Sequence, residues 1–245
     1  MSALLALHGF TGSPRSWDFL PHQPTVRRFV PALVGHSGSA AGPDVVDFEA
    51  EVDRLARLSA EANPLHVVGY SLGARLALGL AIRHPSRVAR LTLISGHPGL
   101  DSDSERAARR AADERWCELL LTRGLCAFVD AWQAQPLWAS QARLDEALRN
   151  RKRSERLSHD PRGLSRSLRV TGLAEMPNYR QALAQLQVPL TLIAGNLDAK
   201  FRNLAEQMAD TVAHAELVIV DGAGHDLLLE RPEFITEVVR TENQP

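Results

Sequence analysis

Lysine is almost missing from this chain of 245 residues: only Lys152 and Lys200 occur, against 26 arginines. A GC-rich coding sequence explains that imbalance without chemistry, so an arginine matters only where its position gives it a role. Cysteine is as scarce. Cys117 and Cys126 fall in a helical-looking stretch, which argues against a disulfide framework and reads as two buried thiols. No apolar run approaches the roughly 20 residues that cross a bilayer, and no basic segment or cleavage site precedes His8. Nor is there an excess of one charge: 28 Lys+Arg face 29 Asp+Glu, a formal net charge of -1. The whole molecule therefore has no electrostatic reason to seek nucleic acid or an anionic membrane. A cytoplasmic globular protein acting on a small molecule is the expectation.

What is present is unevenly placed. Residues 101–187 carry 15 Lys+Arg against 12 Asp+Glu, net +3, and the rest carries 13 against 17, net -4. The middle segment is thus the one expected to meet an anion. The histidines show no spacing suited to metal ligation, and neither a metal nor a cofactor is expected.

Short apolar runs alternate with helix-compatible stretches. Ala3–Leu7, Val26–Leu33, Leu65–Gly69, Val88–Ser95, Pro189–Gly195 and Leu217–Val220 read as strands, and Pro14–Leu20, a segment carrying Phe48, Val52, Leu55 and Leu58, Leu72–Arg83, Lys200–Ala209 and Pro232–Arg240 as helices. Such alternation predicts an α/β fold, a mostly parallel sheet with helices on both faces. Between Pro98 and Gln187 the β-branched runs stop, and Ala, Arg, Glu and Leu dominate. Residues 98–187 are expected to form a helical lid inserted into a core of residues 1–97 and 188–245.

Gly69-Tyr70-Ser71-Leu72-Gly73 is a G-x-S-x-G motif between a strand and a helix, the setting in which the serine becomes an exposed nucleophile on a strained turn. A glycine-rich turn whose serine merely caps the helix is the alternative. Two later segments weigh against it. Asp198 and His225 each fall just beyond a predicted strand, and the order Ser, Asp, His is that of the α/β-hydrolase fold. His225 is then the base for Ser71, and Asp198 its orienting acid. Asp221 and Asp226 are rival acids, with Asp226 read as a solvent-facing loop residue. The first strand ends at His8-Gly9-Phe10, so the Phe10 and Leu72 amides are candidates for an oxyanion hole. Arg75 stands one helical turn past Ser71 and is a candidate substrate contact. Tyr70, beside the nucleophile, either lines the pocket or simply packs.

The chain resembles the α/β-hydrolase-fold SHCHC synthases of menaquinone biosynthesis (the MenH family). The likeness is carried by His8-Gly9-Phe10-Thr11-Gly12-Ser13 with Trp17, by Gly69–Arg75, by His97-Pro98-Gly99-Leu100, and by lid segments around Arg109, Asp113, Trp116, Phe128–Leu137, Arg156, Ser167–Arg169 and Met176-Pro177-Asn178, with Asp198-x-Lys200-Phe201. The resemblance implies elimination of pyruvate from a polycarboxylate cyclohexene, with the Ser-His-Asp unit as general base. It also implies substrate-binding roles for Arg109, Trp132 and Arg156. Trp132 could equally pack in the lid's own core, and Arg153 is an alternative in register to Arg156. Two departures stand out. The chain begins where that fold has its third strand, so the edge strands are apparently missing and the lid follows the sixth strand in the fold's own count. His159 occupies a family asparagine position.

Overall fold

The computed structural model describes residues 2–242. Six strands, β1 (Ser2–Leu7), β2 (Val26–Phe29), β3 (Leu65–Tyr70), β4 (Val88–Ile94), β5 (Leu190–Gly195) and β6 (Ala215–Val220), form one sheet in the order β2-β1-β3-β4-β5-β6. All pairings are parallel. Every residue of β3 and β5 is buried, as a strand covered on both faces requires. β2 ends the sheet and exposes Arg27 and Arg28, charges that oppose addition of a further strand.

Helices α1 (Phe48–Leu58) and α2 (Leu72–Arg83) come between the first four strands. Between β4 and β5 lie α3 (Asp103–Gln133), α4 (Glu146–Arg156), α5 (Pro161–Thr171) and α6 (Arg180–Leu183). α7 (Ala199–Thr211), α8 (Leu227–Glu230) and α9 (Pro232–Glu242) complete the chain. Alternating strand residues divide two cores. Leu5, Leu7 and Val67 point to α1, α2 and α7, whereas Leu4, Ala6 and Val68 meet Trp17, α8 and α9. The segment between β4 and β5 has its own apolar centre, in which Phe128, Trp132, Trp138, Leu164 and Leu168 surround Cys117. Cys126 is exposed, which corrects the expectation of two buried thiols.

Two element boundaries also differ from expectation. β2 stops at Phe29 rather than Leu33, because Pro31 has no amide to donate to a ladder. The expected helix at Pro14–Leu20 is one 3-10 turn, Pro14–Trp17. Past β2 the chain is held by a buried ion pair instead: Glu51 accepts the Val34 amide (2.9 Å) and Arg54 Nε (2.6 Å), while Arg54 reaches Ala32 O (3.1 Å).

The chain runs from β1 outward to β2 and then back to β3 on the other side of β1. The strand order therefore switches between β1 and β3, and a crevice opens at their C-terminal ends. Among the described residues no helix is long and apolar enough to cross a membrane.

Candidate active site

Ser71 occupies the turn from β3 into α2 with φ 53° and ψ -107°, a conformation few non-glycine residues adopt. Its neighbours permit it. A Cβ on Gly69 would lie 2.3 Å from Gly73 O, and one on Gly73 would lie 2.1 Å from Leu7 O, so backbone packs on backbone at both places. The Ser71 amide donates to Ile94 O at 2.9 Å. Its side chain makes no capping bond to α2, which removes the plain helix-cap alternative.

His225 Nε2 lies 3.0 Å from Ser71 Oγ, and its Nδ1 lies 2.7 Å from Asp198 Oδ2. With the Nδ1 proton donated to the carboxylate, Nε2 is left to accept the serine proton. The other Asp198 oxygen caps α7 by accepting the Phe201 amide at 3.3 Å. The rival acids are committed elsewhere. Asp221 accepts from Asn196 Nδ2 at 2.9 Å. Asp226 is buried, 3.4 Å from Lys152 Nζ, and not solvent-facing: Leu227 and Leu228 of α8 enter the core and draw it in.

Phe10 and Leu72 both line a cavity of about 570 Å³ that opens onto Ser71 and His225. Leu72 is the first residue of α2, where amides have no partner within the helix. The loop carrying Phe10 presses on the nucleophile turn, since a Cβ on Gly9 would stand 3.5 Å from Ser71 Cβ.

Three buried histidines hold that loop from behind. His8 Nε2 accepts the Leu33 amide (3.2 Å) and its Nδ1 donates to Gly9 O (2.8 Å). His36 accepts the Thr11 amide (3.2 Å) and donates to Val34 O (3.2 Å). His159 accepts the Ser37 amide (3.1 Å) and donates to Thr11 O (3.3 Å). Each ring needs one bare nitrogen, so all three are neutral. Burial lowers their pKa values, that of His8 to about 4.

The cavity wall brings together most of the expected contacts. Arg75 Nη1 donates to Thr171 O (2.8 Å), and burial beside Arg109 pushes its pKa down to about 9. Arg109 gives its Nε to both oxygens of Asp113, each at 3.0 Å. Trp132 faces the cavity while stacking on Phe128 (centroids 5.5 Å apart, 22°), so it serves both the wall and the local core. Tyr70 lines the cavity with its hydroxyl unpartnered, and burial pushes the phenol up so that it stays protonated.

Arg156 is the exception. It does not line this cavity. Its guanidinium lies 5.0 Å from the Trp138 ring, on the wall of a smaller space of about 330 Å³ behind Trp138, and Nε and Nη2 make no hydrogen bond. Arg153, its alternative, is ion-paired to Asp130 at 2.6 Å.

A Ser-His-Asp relay on a strand-to-helix turn, beside a loop from the first strand, is the arrangement of one fold, and the model of the alpha/beta hydrolase family matches residues 4–238. The chain belongs to that family. Within it the chain falls with the MenH-like proteins. A 2-succinyl-6-hydroxy-2,4-cyclohexadiene-1-carboxylate synthase of Salmonella typhimurium is 35% identical over 243 residues, covering 96% of this chain and 91% of the relative. The structure of MenH from S. aureus superposes with a TM-score of 0.92 at 27% identity, covering all of this chain and 95% of that one. A malate-bound esterase from Thermogutta terrifontis gives 0.84 at 26% identity, over 99% of this chain and 89% of that one.

Several alpha/beta hydrolase features here carried no clear sequence signal. Glu230 accepts the Gly224 amide (2.7 Å) and Ser140 Oγ (2.9 Å), tying the His225 loop to the helical segment. Trp138 stands 5.5 Å from the His225 ring. His97 and Lys200 also line the cavity. Both lie in motifs shared with the MenH-like proteins, and that sharing was the available signal.

Proposed function

We propose that this protein eliminates pyruvate from 2-succinyl-5-enolpyruvyl-6-hydroxy-3-cyclohexene-1-carboxylate to give 2-succinyl-6-hydroxy-2,4-cyclohexadiene-1-carboxylate in menaquinone biosynthesis, in the cytoplasm and without a cofactor. The carrying observation is the pairing of a complete Ser71–His225–Asp198 relay with Arg75 and Arg109 in the lining of one cavity. A guanidinium suits a planar carboxylate, and a substrate with three carboxylates needs such partners where water is scarce. His225 draws the Ser71 proton, and Ser71 removes the ring proton next to the succinyl ketone. The Phe10 and Leu72 amides hold the resulting enolate oxygen. The electron pair moves through the ring double bond, the ring carbon–oxygen bond to the enolpyruvyl group breaks, and the departing enolate takes up a proton to become pyruvate. Neither water nor an acyl-enzyme enters. Residues 98–187 act as the lid that closes the site over the core of residues 1–97 and 188–245.

A second reading is ester hydrolysis by the same relay, favoured by the likeness to the esterase. That esterase is described with malate, a dicarboxylate, so an anion-binding cavity serves both readings. The deciding experiment supplies substrate made fresh by the preceding enzyme and follows pyruvate together with diene absorbance, with a nitrophenyl ester alongside. Elimination predicts that both signals rise together, the ester is ignored, and Ser71→Ala slows turnover by roughly 10²–10⁴-fold. Ester turnover without pyruvate would establish hydrolysis.

A further inference from the structure

The cations of the cavity are not evenly matched by acids. Arg75, Arg109 and Lys200 line it, and among the described residues its lining carboxylates are Asp113 and Asp198. Asp113 is taken by Arg109 and Asp198 by His225. Lys200 makes no hydrogen bond or ion pair among the described residues, its Nζ lying 5.6 Å from the Phe201 ring. Arg75 reaches only a backbone carbonyl. Arg109 repels both Arg75 and Lys200, and an anion bound among them offsets that repulsion.

His97 sits at the base of this group, in the loop after β4, and is buried. Much of the local backbone serves to orient its ring. Gly99 has φ +112°, and a Cβ there would lie 2.7 Å from Asn178 Cα and from Pro177 O, so the turn admits only glycine. In that conformation the Gly99 amide donates to His97 Nδ1 at 3.0 Å, while Pro98 O accepts the Tyr179 amide at 2.8 Å. Nδ1 is therefore the bare nitrogen, and the proton is on Nε2. No protein acceptor takes that proton among the described residues. Burial, with Arg75, Lys200, Arg180 and Arg109 facing the ring, lowers its pKa to about 3 and keeps it neutral.

The cavity also has an apolar lining. Phe10, Trp116, Trp132 and Trp138 form a contiguous aromatic face, with neighbouring ring centroids 5.2 to 6.2 Å apart. A ligand in this cavity meets cations, a neutral donor and a contiguous aromatic face.

We infer that His97 Nε2–H and Lys200, with Arg75, form a carboxylate-binding subsite beside Ser71 that holds the succinyl-type arm of the substrate. The inference rests on the polycarboxylate reading above. A neutral donor at the base gives a directional bond, whereas a fourth cation there would add to the repulsion. Lys200, exposed at the mouth, supplies the second, less directional contact.

Succinate is the probe. Calorimetric titration of the intact protein should show one binding event. His97→Leu should weaken it by about 10–100-fold, the loss of one hydrogen bond to a charged group, and His97→Gln, which keeps a donor, by less than about 5-fold. Lys200→Met should weaken it by about 3–10-fold. ¹⁵N-histidine NMR of the unmodified chain reads the same bond without substitution: the His97 Nε2–H resonance, assigned by its loss in His97→Gln, should move downfield with succinate. Absence of succinate binding, a resonance that does not move, or equal affinity in His97→Leu would each overturn the subsite. Because no turnover is involved, His97-dependent binding without pyruvate release would sink the elimination reading and leave the subsite standing.

Discussion

The two walls of the cavity are built by different means. On the strand side, Ser71, Leu72 and the Phe10 loop are positioned by main chain: a positive φ, two backbone-on-backbone contacts at Gly69 and Gly73, and three neutral imidazoles bonded to amides and carbonyls. On the helical side, Arg109, Trp132 and Trp138 are held by other side chains, through an ion pair, ring stacking and a guanidinium against indole. A backbone-held group has almost no room to move, and a side-chain-held group can be exchanged while the fold stays intact. In the reaction proposed above, the reacting atoms lie on the first wall and the Arg109 contact on the second. On that proposal, the chemistry and the Arg109 contact are separable by substitution.

Substitutions can test that separation directly. Gly73→Ala places a methyl group 2.1 Å from Leu7 O, 2.5 Å from Leu7 C and 2.7 Å from His8 O. None of these is the end of a flexible side chain. A stability loss of about 4 kcal/mol or more is expected, seen as a Tm lowered by roughly 8–16 °C. An unchanged melting curve would show that the strand wall yields. On the helical wall, Arg109→Ala should leave Tm nearly unchanged and raise KM about 30-fold with kcat largely retained. That is about 2 kcal/mol, the lower end for an unpaired ligand carboxylate, because the Arg109 side chain is about 34% exposed. A fall in kcat with KM unchanged would place Arg109 in the chemistry instead.

Acid should act on the strand wall first. His8, His36 and His159 are buried neutral, with pKa values lowered from 6.5, that of His8 to about 4. The unfolded chain therefore binds protons that the folded one excludes. Stability present above pH 6.5 is lost as pH falls toward 4, by up to about 1.4 kcal/mol per histidine per pH unit. Denaturant midpoints measured from pH 7 to pH 4 should fall steadily, and His159→Asn should shallow the slope. A flat profile would mean that these imidazoles take up protons as readily in the folded chain as in the unfolded one.

The division between walls also marks how far the sequence could be read. The strand wall is written in local terms: apolar runs for β3, β5 and β6, glycines around Ser71, and a polar residue just past each strand. Local pattern alone thus brings Ser71, Asp198 and His225 to one edge of the sheet. The helical wall depends on how α3, α4 and α5 pack, which no local pattern states. Arg156 was expected at the substrate, yet the end of α4 places it behind Trp138. Asp226 looks polar and loop-like in sequence, but two buried leucines follow it. His97 lies in the shared His97–Leu100 motif, but that motif does not say which way the ring faces; the turn at Gly99 and its contact with Pro177–Tyr179 fix it. His159, an apparent departure, meets the same backbone needs with one bare and one protonated nitrogen.

The most direct test of the account is single turnover with substrate carrying deuterium at the ring carbon next to the succinyl ketone, with pyruvate followed by rapid quench and the protein by intact mass. If Ser71 acts as a base in an elimination, deuterium slows pyruvate release and the protein mass never changes. Equal rates for the two isotopic substrates, together with a covalent adduct on Ser71, would contradict it.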